Sequence, residues 1–185
     1  MKKIIILFSG DGFNAKNIVN LLHNKKCIVV CGITNNPNAK GIEKLNLLGI
    51  KTEILNHLDF NTRESFDTEL VKLINNYTPD LVVLSGFMRI LSEVFTSNIK
   101  AINLHPSLLP KFKGAKAIER SFAGESDRCG VSVHWVNNEL DSGDIILQQK
   151  FIRNKSDTFD SFRKKIKEIE FEIMPKAIIK ALSDE

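Results

Sequence analysis

An asparagine and a histidine stand at the end of one apolar segment, in the run Asn103-Leu104-His105-Pro106. Alternate residues of a β-strand share a face, so Asn103 and His105 are expected to point to the same side. Pro106 cannot donate to a sheet ladder, so the strand is expected to end at His105. An amide donor beside an imidazole can stabilise an oxyanion and carry a proton, which predicts catalysis at this strand end.

A carboxylate farther along the chain is the third candidate for chemistry. Asp141 lies in the segment Glu139-Leu140-Asp141-Ser142-Gly143, and most segments of this composition are simply turns. Next to His105, however, its charge would favour the imidazolium and raise the pKa of the ring. An amide, an imidazolium and a carboxylate suit the addition of an amine to a carbonyl carbon without a covalent enzyme intermediate.

A glycine-rich loop, Ser9-Gly10-Asp11-Gly12-Phe13-Asn14, follows the first apolar segment and precedes a helical pattern. Free N–H groups at a helix N-terminus bind phosphate, and glycines let the backbone approach a ligand closely. The alternative is a tight turn in which Asn14 caps the helix. Thr34-Asn35-Asn36 offers no carboxylate for a ribose, so a monophosphate is a simpler ligand than a dinucleotide.

The first half of the chain alternates segments with strand and helix patterns. Strands are predicted at 4–8, 27–34, 51–55, 80–84 and 100–104, with helices at 14–23, 41–48, 62–75 and 91–97 between them. This order predicts an α/β fold with a doubly wound, Rossmann-like and mostly parallel sheet.

The second half has a different pattern. Segments 130–136 and 145–151 are predicted to form a hairpin that adds an antiparallel extension to the sheet. A long amphipathic C-terminal helix is predicted over 158–182, and Pro175 is expected to kink or divide it. We also expect a cis peptide bond at Leu109-Pro110 and a flexible segment at 111–116 that covers the substrate.

The composition is that of one ordinary globular domain of 185 residues. Its 26 basic and 22 acidic residues leave a net charge of +4 without a dense basic tract, which argues against a nucleic-acid partner. No apolar run is long enough for a membrane span, and the three cysteines lack a disulfide or zinc spacing. We therefore expect a cytoplasmic protein with buried, unpaired cysteines and no membrane partner.

Four motifs occur in a characteristic order along essentially the whole chain. They are Ser9-Gly10-x-Gly12-x-Asn14, Gly86-Phe87-Met88-Arg89-Ile90-Leu91, Asn103-Leu104-His105-Pro106-Ser107-Leu108-Leu109-Pro110, and Ser132-Val133-His134 leading to Glu139-Leu140-Asp141-x-Gly143. Together they closely resemble the phosphoribosylglycinamide formyltransferases, a folate-dependent family of purine synthesis. The third motif with the downstream aspartate marks the wider superfamily of formyltetrahydrofolate-using enzymes.

The resemblance implies direct transfer of a formyl group from 10-formyltetrahydrofolate to the amine of glycinamide ribonucleotide, in de novo purine biosynthesis. Asn103 would stabilise the oxyanion and contact the donor, while protonated His105 would act as the general acid. Asp141 would raise the pKa of His105, keep it charged and organise a water molecule.

The resemblance also implies two binding sets and no metal. The residues implied to hold the substrate phosphate and ribosyl group are Gly12, Phe13, Asn14 and Glu170. Those implied to bind the folate are Arg63, Met88, Arg89, Ile90, Leu91 and Asn103. We accordingly expect one formyltransferase domain over 1–185, with a phosphate-binding half of about 1–100 and a catalytic and folate-binding half of about 101–185. Its partners would be these small molecules, and the protein would be a monomer or homodimer.

Several positions have a second interpretation. The family usually has serine at the position of Phe13 and glutamine at that of Lys167, which either approaches the phosphate or is an ordinary solvated lysine. By composition alone, Met88 and Ile90 would be core residues. His134 either borders the site or is a hydrogen-bonded structural histidine.

Three other functions are alternatives. A formyltetrahydrofolate hydrolase typically has an additional N-terminal domain, and a methionyl-tRNA formyltransferase usually has a C-terminal RNA-binding domain. This chain begins with its first predicted strand and ends with its long helix, so we expect neither. A non-catalytic nucleotide-binding module is the third alternative, and the presence of Asn103, His105 and Asp141 argues against it.

Overall fold

A seven-stranded mixed sheet forms the centre of the computed structural model, which describes residues 1–183. The strands are β1 (Lys3–Phe8), β2 (Ile28–Thr34), β3 (Thr52–Ile54), β4 (Leu81–Leu84), β5 (Ala101–His105), β6 (Arg128–Trp135) and β7 (Ile145–Ile152). Their spatial order is β3-β2-β1-β4-β5-β6-β7. The first five pair in parallel, whereas β6 and β7 join as an antiparallel hairpin. The predicted fold class and its antiparallel extension are confirmed.

Helices cover both faces of this sheet. They are α1 (Phe13–Leu22), α2 (Gly41–Asn46), α3 (Arg63–Asn75), α4 (Glu93–Thr96), α5 (Ala117–Ala123) and α6 (Phe159–Ser183), with a 3₁₀ turn at His57–Asp59. Successive side chains of β1 enter opposite cores, which is why the strand is apolar almost throughout. Ile4, Ile6 and Phe8 pack with α1 and α6, whereas Ile5 and Leu7 pack with α3 and α4.

Pro175 does not divide the C-terminal helix, contrary to one of the two predicted outcomes. α6 continues through this buried proline to Ser183. A proline lacks the N–H that would bond to the carbonyl four residues earlier, here that of Phe171. The side-chain amide of Asn17, on α1, donates to that carbonyl at 2.9 Å instead. The neighbouring helix thereby supplies the missing donor.

The three cysteines and one prolyl peptide bond have the states predicted from the sequence. Cys27, Cys31 and Cys129 are buried and unpaired, as predicted, and the Leu109-Pro110 bond is cis. One helix, α5, was not predicted and follows the predicted flexible segment. None of the helices within residues 1–183 is long and apolar enough to cross a bilayer.

Candidate active site

Two neighbouring antiparallel strands place the catalytic candidates. Ile102 and Leu104 of β5 pack into one core, so the alternating Asn103 and His105 lie on the opposite face, as predicted. In the register of β5 with β6, Asn103 lies opposite His134. Residues paired in this way have side chains close enough to interact. The sheet therefore brings His134 beside the predicted pair.

Asp141 reaches this face from the hairpin loop between β6 and β7. The loop starts and ends beside Trp135, whose N–H donates to the Asp144 carbonyl at 2.9 Å. A side chain at Gly143 would overlap the Trp135 carbonyl oxygen, so this close approach requires glycine. Asp141 itself has φ +51°, which turns the loop back over β5.

The Asp141 carboxylate contacts two buried histidines and the partly buried Asn103. Its Oδ1 accepts from Asn103 Nδ2 at 3.3 Å and lies 3.5 Å from His134 Nε2. Its Oδ2 lies 3.3 Å from His105 Nδ1. Asp141, His105 and His134 are 8%, 5% and 2% exposed. The structure thus joins the three predicted catalytic residues and adds His134 to them.

Backbone groups of the segment 111–116 complete the cluster. His105 Nε2 lies 2.8 Å from the Phe112 carbonyl, and the Gly114 N–H donates to Asp141 Oδ2 at 2.8 Å. Arg120, on α5, donates to the carbonyls of Lys113 and Ala115 and so holds the segment in place. These functional groups are main-chain atoms, so no side-chain pattern in the sequence indicates them.

The pKa of His105 is shifted in the direction opposite to the one predicted. Burial lowers the pKa of His105, and this effect exceeds the rise due to the Phe112 carbonyl and the Asp141 carboxylate. Burial also raises the pKa of Asp141, but hydrogen bonds from His134 and Gly114 and nearby imidazole charge bring it below its usual range. Asp141 therefore raises the pKa of His105 as predicted, but burial is the larger effect, and the net shift of the pKa is downward, opposite to the expected direction.

His134 fits both of its predicted interpretations. Its Nδ1 donates to the carbonyl of Trp135 at 2.8 Å, and its Nε2 faces both Asp141 Oδ1 and the amide of Asn103. Asn103 Nδ2 lies 3.3 Å from that Nε2 and also donates to Asp141. The amide nitrogen of Asn103 therefore faces both Asp141 and His134.

The glycine loop leads into α1 with Gly12, not Asn14, as the N-cap. Gly12 has φ +69°, and a Cβ there would lie 2.5 Å from the Cα of Gly41. Asn14 is the second residue of the helix, so its predicted role as the cap is wrong. Its Nδ2 donates to Glu170 Oε2 at 2.9 Å, and its Oδ1 is buried without a partner among the described residues.

Two positive side chains lie near this loop. Lys167 Nζ is 3.3 Å from Glu170 Oε2, so it pairs with the buried carboxylate. Phe13 is exposed, and Lys44 Nζ lies 4.6 Å from the centre of its ring. Lys167 is therefore paired and not simply solvated.

The segment 86–92 has no regular secondary structure and runs past the same loop. Met88 and Ile90 are 81% and 53% exposed, so neither is a core residue. The Met88 N–H donates to Ser9 Oγ at 2.7 Å, and the Ser9 N–H donates to the Gly86 carbonyl at 3.0 Å. Ser9 thereby fixes the start of this segment to the glycine loop.

One cavity of about 660 Å³ connects these groups. The predicted site residues that line it are Gly12, Phe13, Asn14, Met88, Arg89, Ile90, Leu91, Asn103, His105, His134, Asp141 and Glu170. Arg63 does not line it and lies exposed at the start of α3, where its charge lowers the pKa of Asp67. Residues 1–183 contain no group of three or more His, Cys, Asp or Glu side chains placed to hold a metal.

The chain is similar in sequence to known proteins over most of its length. The formyl transferase family model matches residues 2–178. The phosphoribosylglycinamide formyltransferase of Escherichia coli K12 is 37% identical over 179 residues, which cover 95% of this chain and 84% of that protein. The trifunctional purine biosynthetic protein adenosine-3 of Bos taurus is 34% identical over 180 residues, covering 95% of this chain and 18% of that protein.

A solved structure shows the same fold. The phosphoribosylglycinamide formyltransferase of Campylobacter jejuni superposes with a TM-score of 0.95 at 47% identity, covering 98% of this chain and 97% of that one. Sequence and fold therefore lead to the same conclusion: the chain belongs to the formyl transferase family, among the phosphoribosylglycinamide formyltransferases.

Proposed function

We propose that this chain transfers a formyl group from 10-formyltetrahydrofolate to the amine of glycinamide ribonucleotide, in de novo purine biosynthesis. The observation that carries the proposal is the contact of Asn103, His105 and Asp141 inside one cavity. The same cavity has an anion-binding loop on one side and exposed apolar side chains on the other. A phosphorylated acceptor and a flat heterocyclic donor can therefore meet at the catalytic side chains.

The acceptor side carries the chemistry of a phosphate and ribose site. The N–H groups at the start of α1 and its positive dipole end favour a phosphate at Gly12, Phe13 and Asn14. The backbone N–H of Phe13 remains available although the serine hydroxyl usual in the family is lost. Lys167 adds a positive charge close by, and Glu170 can accept from ribose hydroxyls.

The donor side offers a slot for the pterin. Exposed Met88 and Ile90 provide apolar surface, and the irregular backbone of Arg89 to Leu91 provides polar edges. Arg63 lies outside the cavity wall, so its predicted contact requires the distal part of the folate to extend beyond the cavity.

The reaction follows from these positions. The acceptor amine forms a bond to the formyl carbon, whose oxygen becomes an oxyanion stabilised by an Asn103 N–H and His105. One Asn103 hydrogen must leave Asp141 or His134 for this contact. The bond from the formyl carbon to the folate nitrogen then breaks, and that nitrogen receives a proton from His105, whose N–H must leave the Phe112 carbonyl or Asp141 for this transfer. The proton lost by the amine passes through water beside Asp141 and restores the imidazolium of His105.

The general acid requires the protonated form of His105, and we expect the bound acceptor to favour that form. Both ring nitrogens face oxygen atoms, of Phe112 and Asp141, so the doubly protonated ring has an acceptor for each N–H. Burial opposes that form. We propose that the phosphate dianion of the acceptor adds negative charge to the cavity and shifts the balance towards the imidazolium.

The decisive experiment supplies 10-formyltetrahydrofolate with three acceptors in separate assays. Rapid release of tetrahydrofolate is expected with glycinamide ribonucleotide, and none above background with water alone or methionyl-tRNA. Turnover with water alone would identify a hydrolase, and turnover only with the tRNA would identify the other formyltransferase; either result would contradict the proposal.

We propose that residues 1–185 form one domain that needs only these small molecules and no metal. Residues from both predicted halves line the cavity, which supports a single functional unit. A chelator is accordingly expected to leave the rate unchanged.

Free buried cysteines are consistent with a cytoplasmic location. Sedimentation of the purified protein would test the expectation of a monomer or homodimer.

A further inference from the structure

The segment 86–92 is fixed at both ends. Its first end is bonded to Ser9 of the glycine loop, as described above. At its far end, Asp67 Oδ2 accepts from the N–H of Ser92 at 2.5 Å and from its hydroxyl at 2.7 Å. Between the two attachments, the chain runs as an irregular strip along the cavity with Met88 and Ile90 exposed. The strip is therefore a short bridge from the glycine loop to α3.

Asp67 is a fully buried carboxylate that does not line the cavity, which is an unusual position for a charged side chain. It is 0% exposed, on α3, among apolar side chains such as Phe66 and Leu70. Carboxylates are rarely buried in this way unless they are hydrogen-bonded. Burial raises the pKa of Asp67, and the Ser92 hydrogen bonds and the charges of Arg89 and Arg63 oppose that rise. A mere packing role would be filled at lower cost by an apolar residue.

Ser92 is also used in an unusual way. It is the N-cap of α4, a position where a serine side chain normally accepts from the helix. Here the hydroxyl makes no capping bond and donates to Asp67 instead. The N–H and the hydroxyl of Ser92 thus both donate to one oxygen of Asp67, and these bonds fix the position where the strip ends.

The other oxygen of Asp67 makes no hydrogen bond within the described residues. Asp67 Oδ1 and Arg89 Nε are both buried without a hydrogen-bond partner among the described residues. Arg89 is close enough for its charge to lower the pKa of Asp67, and its guanidinium lies 5.3 Å from the Phe66 ring. Asp67 therefore acts on the strip at two positions, by direct bonds to Ser92 and by charge on Arg89.

We propose that Asp67 is a positioning residue for the formyl donor, because its bonds to Ser92 hold the 86–92 strip in the form that the heterocycle enters. This inference rests on the proposed function. Asp67 acts through the strip, so it affects the donor side of the cavity. The acceptor side is formed by α1 and α6, which pack on the opposite face of the sheet from α3, so it is expected to be independent of Asp67.

The test separates the two substrates kinetically. Asp67→Ala removes the acceptor of two charge-assisted hydrogen bonds, each of which typically contributes about tenfold or more to an equilibrium. The KM for 10-formyltetrahydrofolate is expected to rise about tenfold, while the KM for glycinamide ribonucleotide and kcat at saturation stay within about twofold. Asp67→Asn keeps an oxygen for Ser92 and is expected to restore the donor KM to within about threefold of wild type.

Ile74→Ala is the matched control. Ile74 is fully buried on the same helix and in the same core, but it lies away from Ser92. Its loss destabilises α3 without touching the strip, so both KM values are expected to stay unchanged. An equal rise of the two KM values in Asp67→Ala, or an Asp67→Asn variant as damaged as the alanine variant, would overturn the inference.

Ser92→Ala gives a second test if Asp67→Ala does not fold. It removes the hydroxyl bond and keeps the N–H bond, so the donor KM is expected to rise about threefold, and an unchanged donor KM would overturn the inference. Calorimetric binding of tetrahydrofolate separates the two proposals. Weaker binding in the variants supports the role of Asp67 even if wild type transfers no formyl group. Unchanged binding beside an active wild type rejects that role alone, and absent binding to wild type rejects both.

Discussion

Asn103 is the residue on which oxyanion stabilisation depends most directly. Its amide nitrogen faces Asp141 and His134, so it is held in place before any ligand arrives. Asn103→Ala is expected to lower kcat about a hundredfold, in the range observed for removal of an oxyanion donor. Steady-state rates at saturation of both substrates measure this, with circular dichroism to verify the fold. A near-normal kcat would contradict the assignment.

His105 is expected to titrate below 6.5, the ordinary value for its side chain, because burial lowers its pKa. Asp141→Asn removes a contribution that raises the pKa of His105, so the midpoint is expected to move lower still. Titration of the imidazole C–H resonances by NMR measures both, with His105→Gln to assign the signal among four histidines. A midpoint above 6.5 in the unliganded protein would contradict the prediction.

The same shift has a consequence for stability. The unfolded chain binds this proton more tightly than the folded chain, so unfolding is favoured as the pH falls from 6.5 through the lower folded-state pKa of His105. Above 6.5, the full contribution of the neutral ring is present. His105→Gln is expected to remove this part of the pH dependence of the unfolding free energy.

At this scale, strand alternation correctly predicts that Asn103 and His105 share a face. The sign of the His105 shift was not predictable, because the depth of a side chain depends on the complete fold. The same holds for Phe112 and Gly114, which act through backbone atoms that every residue possesses. The sequence identifies side chains that can take part in catalysis, but not the main-chain atoms that contact them.

The element that begins with the glycine loop is sensitive to a single methyl group. Gly12→Ala combines a left-handed backbone with a Cβ 2.5 Å from Gly41, whereas Gly49→Ala has a left-handed backbone with free space around it. Gly49→Ala is expected to cost about 1–2 kcal/mol of unfolding free energy. Gly12→Ala is expected to cost more and to raise the KM for the ribonucleotide. Denaturant titration and kinetics measure this, and equal losses in the two variants would exclude the close contact as a cause.

The pairing of α1 with α6 is expected to depend on one amide. Asn17→Ala leaves the Phe171 carbonyl without its donor and is expected to cost about 1–3 kcal/mol in unfolding free energy. Asn20→Ala, on the exposed side of α1, is the matched control and is expected to cost less than about 0.5 kcal/mol. In a Pro175→Ala background, which restores a backbone N–H, the loss caused by Asn17→Ala is expected to shrink. Denaturant titrations of these variants would test this, and an unchanged loss would contradict the explanation.

Elements with strong periodicity were predictable, and those set by tertiary contacts were not. The seven strands and the long α6 follow from apolar patterns in their own residues. α5 was missed because only Ala117 and Ser121 of its residues are buried, which leaves little periodic signal. The course of α6 through Pro175 depends on an amide supplied by another helix, and no pattern within α6 contains that information.

For the molecule as a whole, the thiols report on the integrity of the fold. Cys27, Cys31 and Cys129 are all buried, and burial raises the pKa of Cys27 to about 11. A thiol reagent is expected to modify none of them in the native protein and all three after unfolding. Absorbance of the released chromophore, with and without denaturant, gives the count. Rapid modification of the native protein would contradict the buried placement.

The catalytic carboxylate depends on a residue that has no side chain. Gly143 lies against the Trp135 carbonyl and lets the loop return Asp141 to β5, so any replacement would push that loop outward. For protein engineering, this position should be left unchanged, since even alanine, the smallest step from glycine, already introduces the overlap. Gly143 does not line the cavity, so a design that protects only the cavity-lining residues would overlook it.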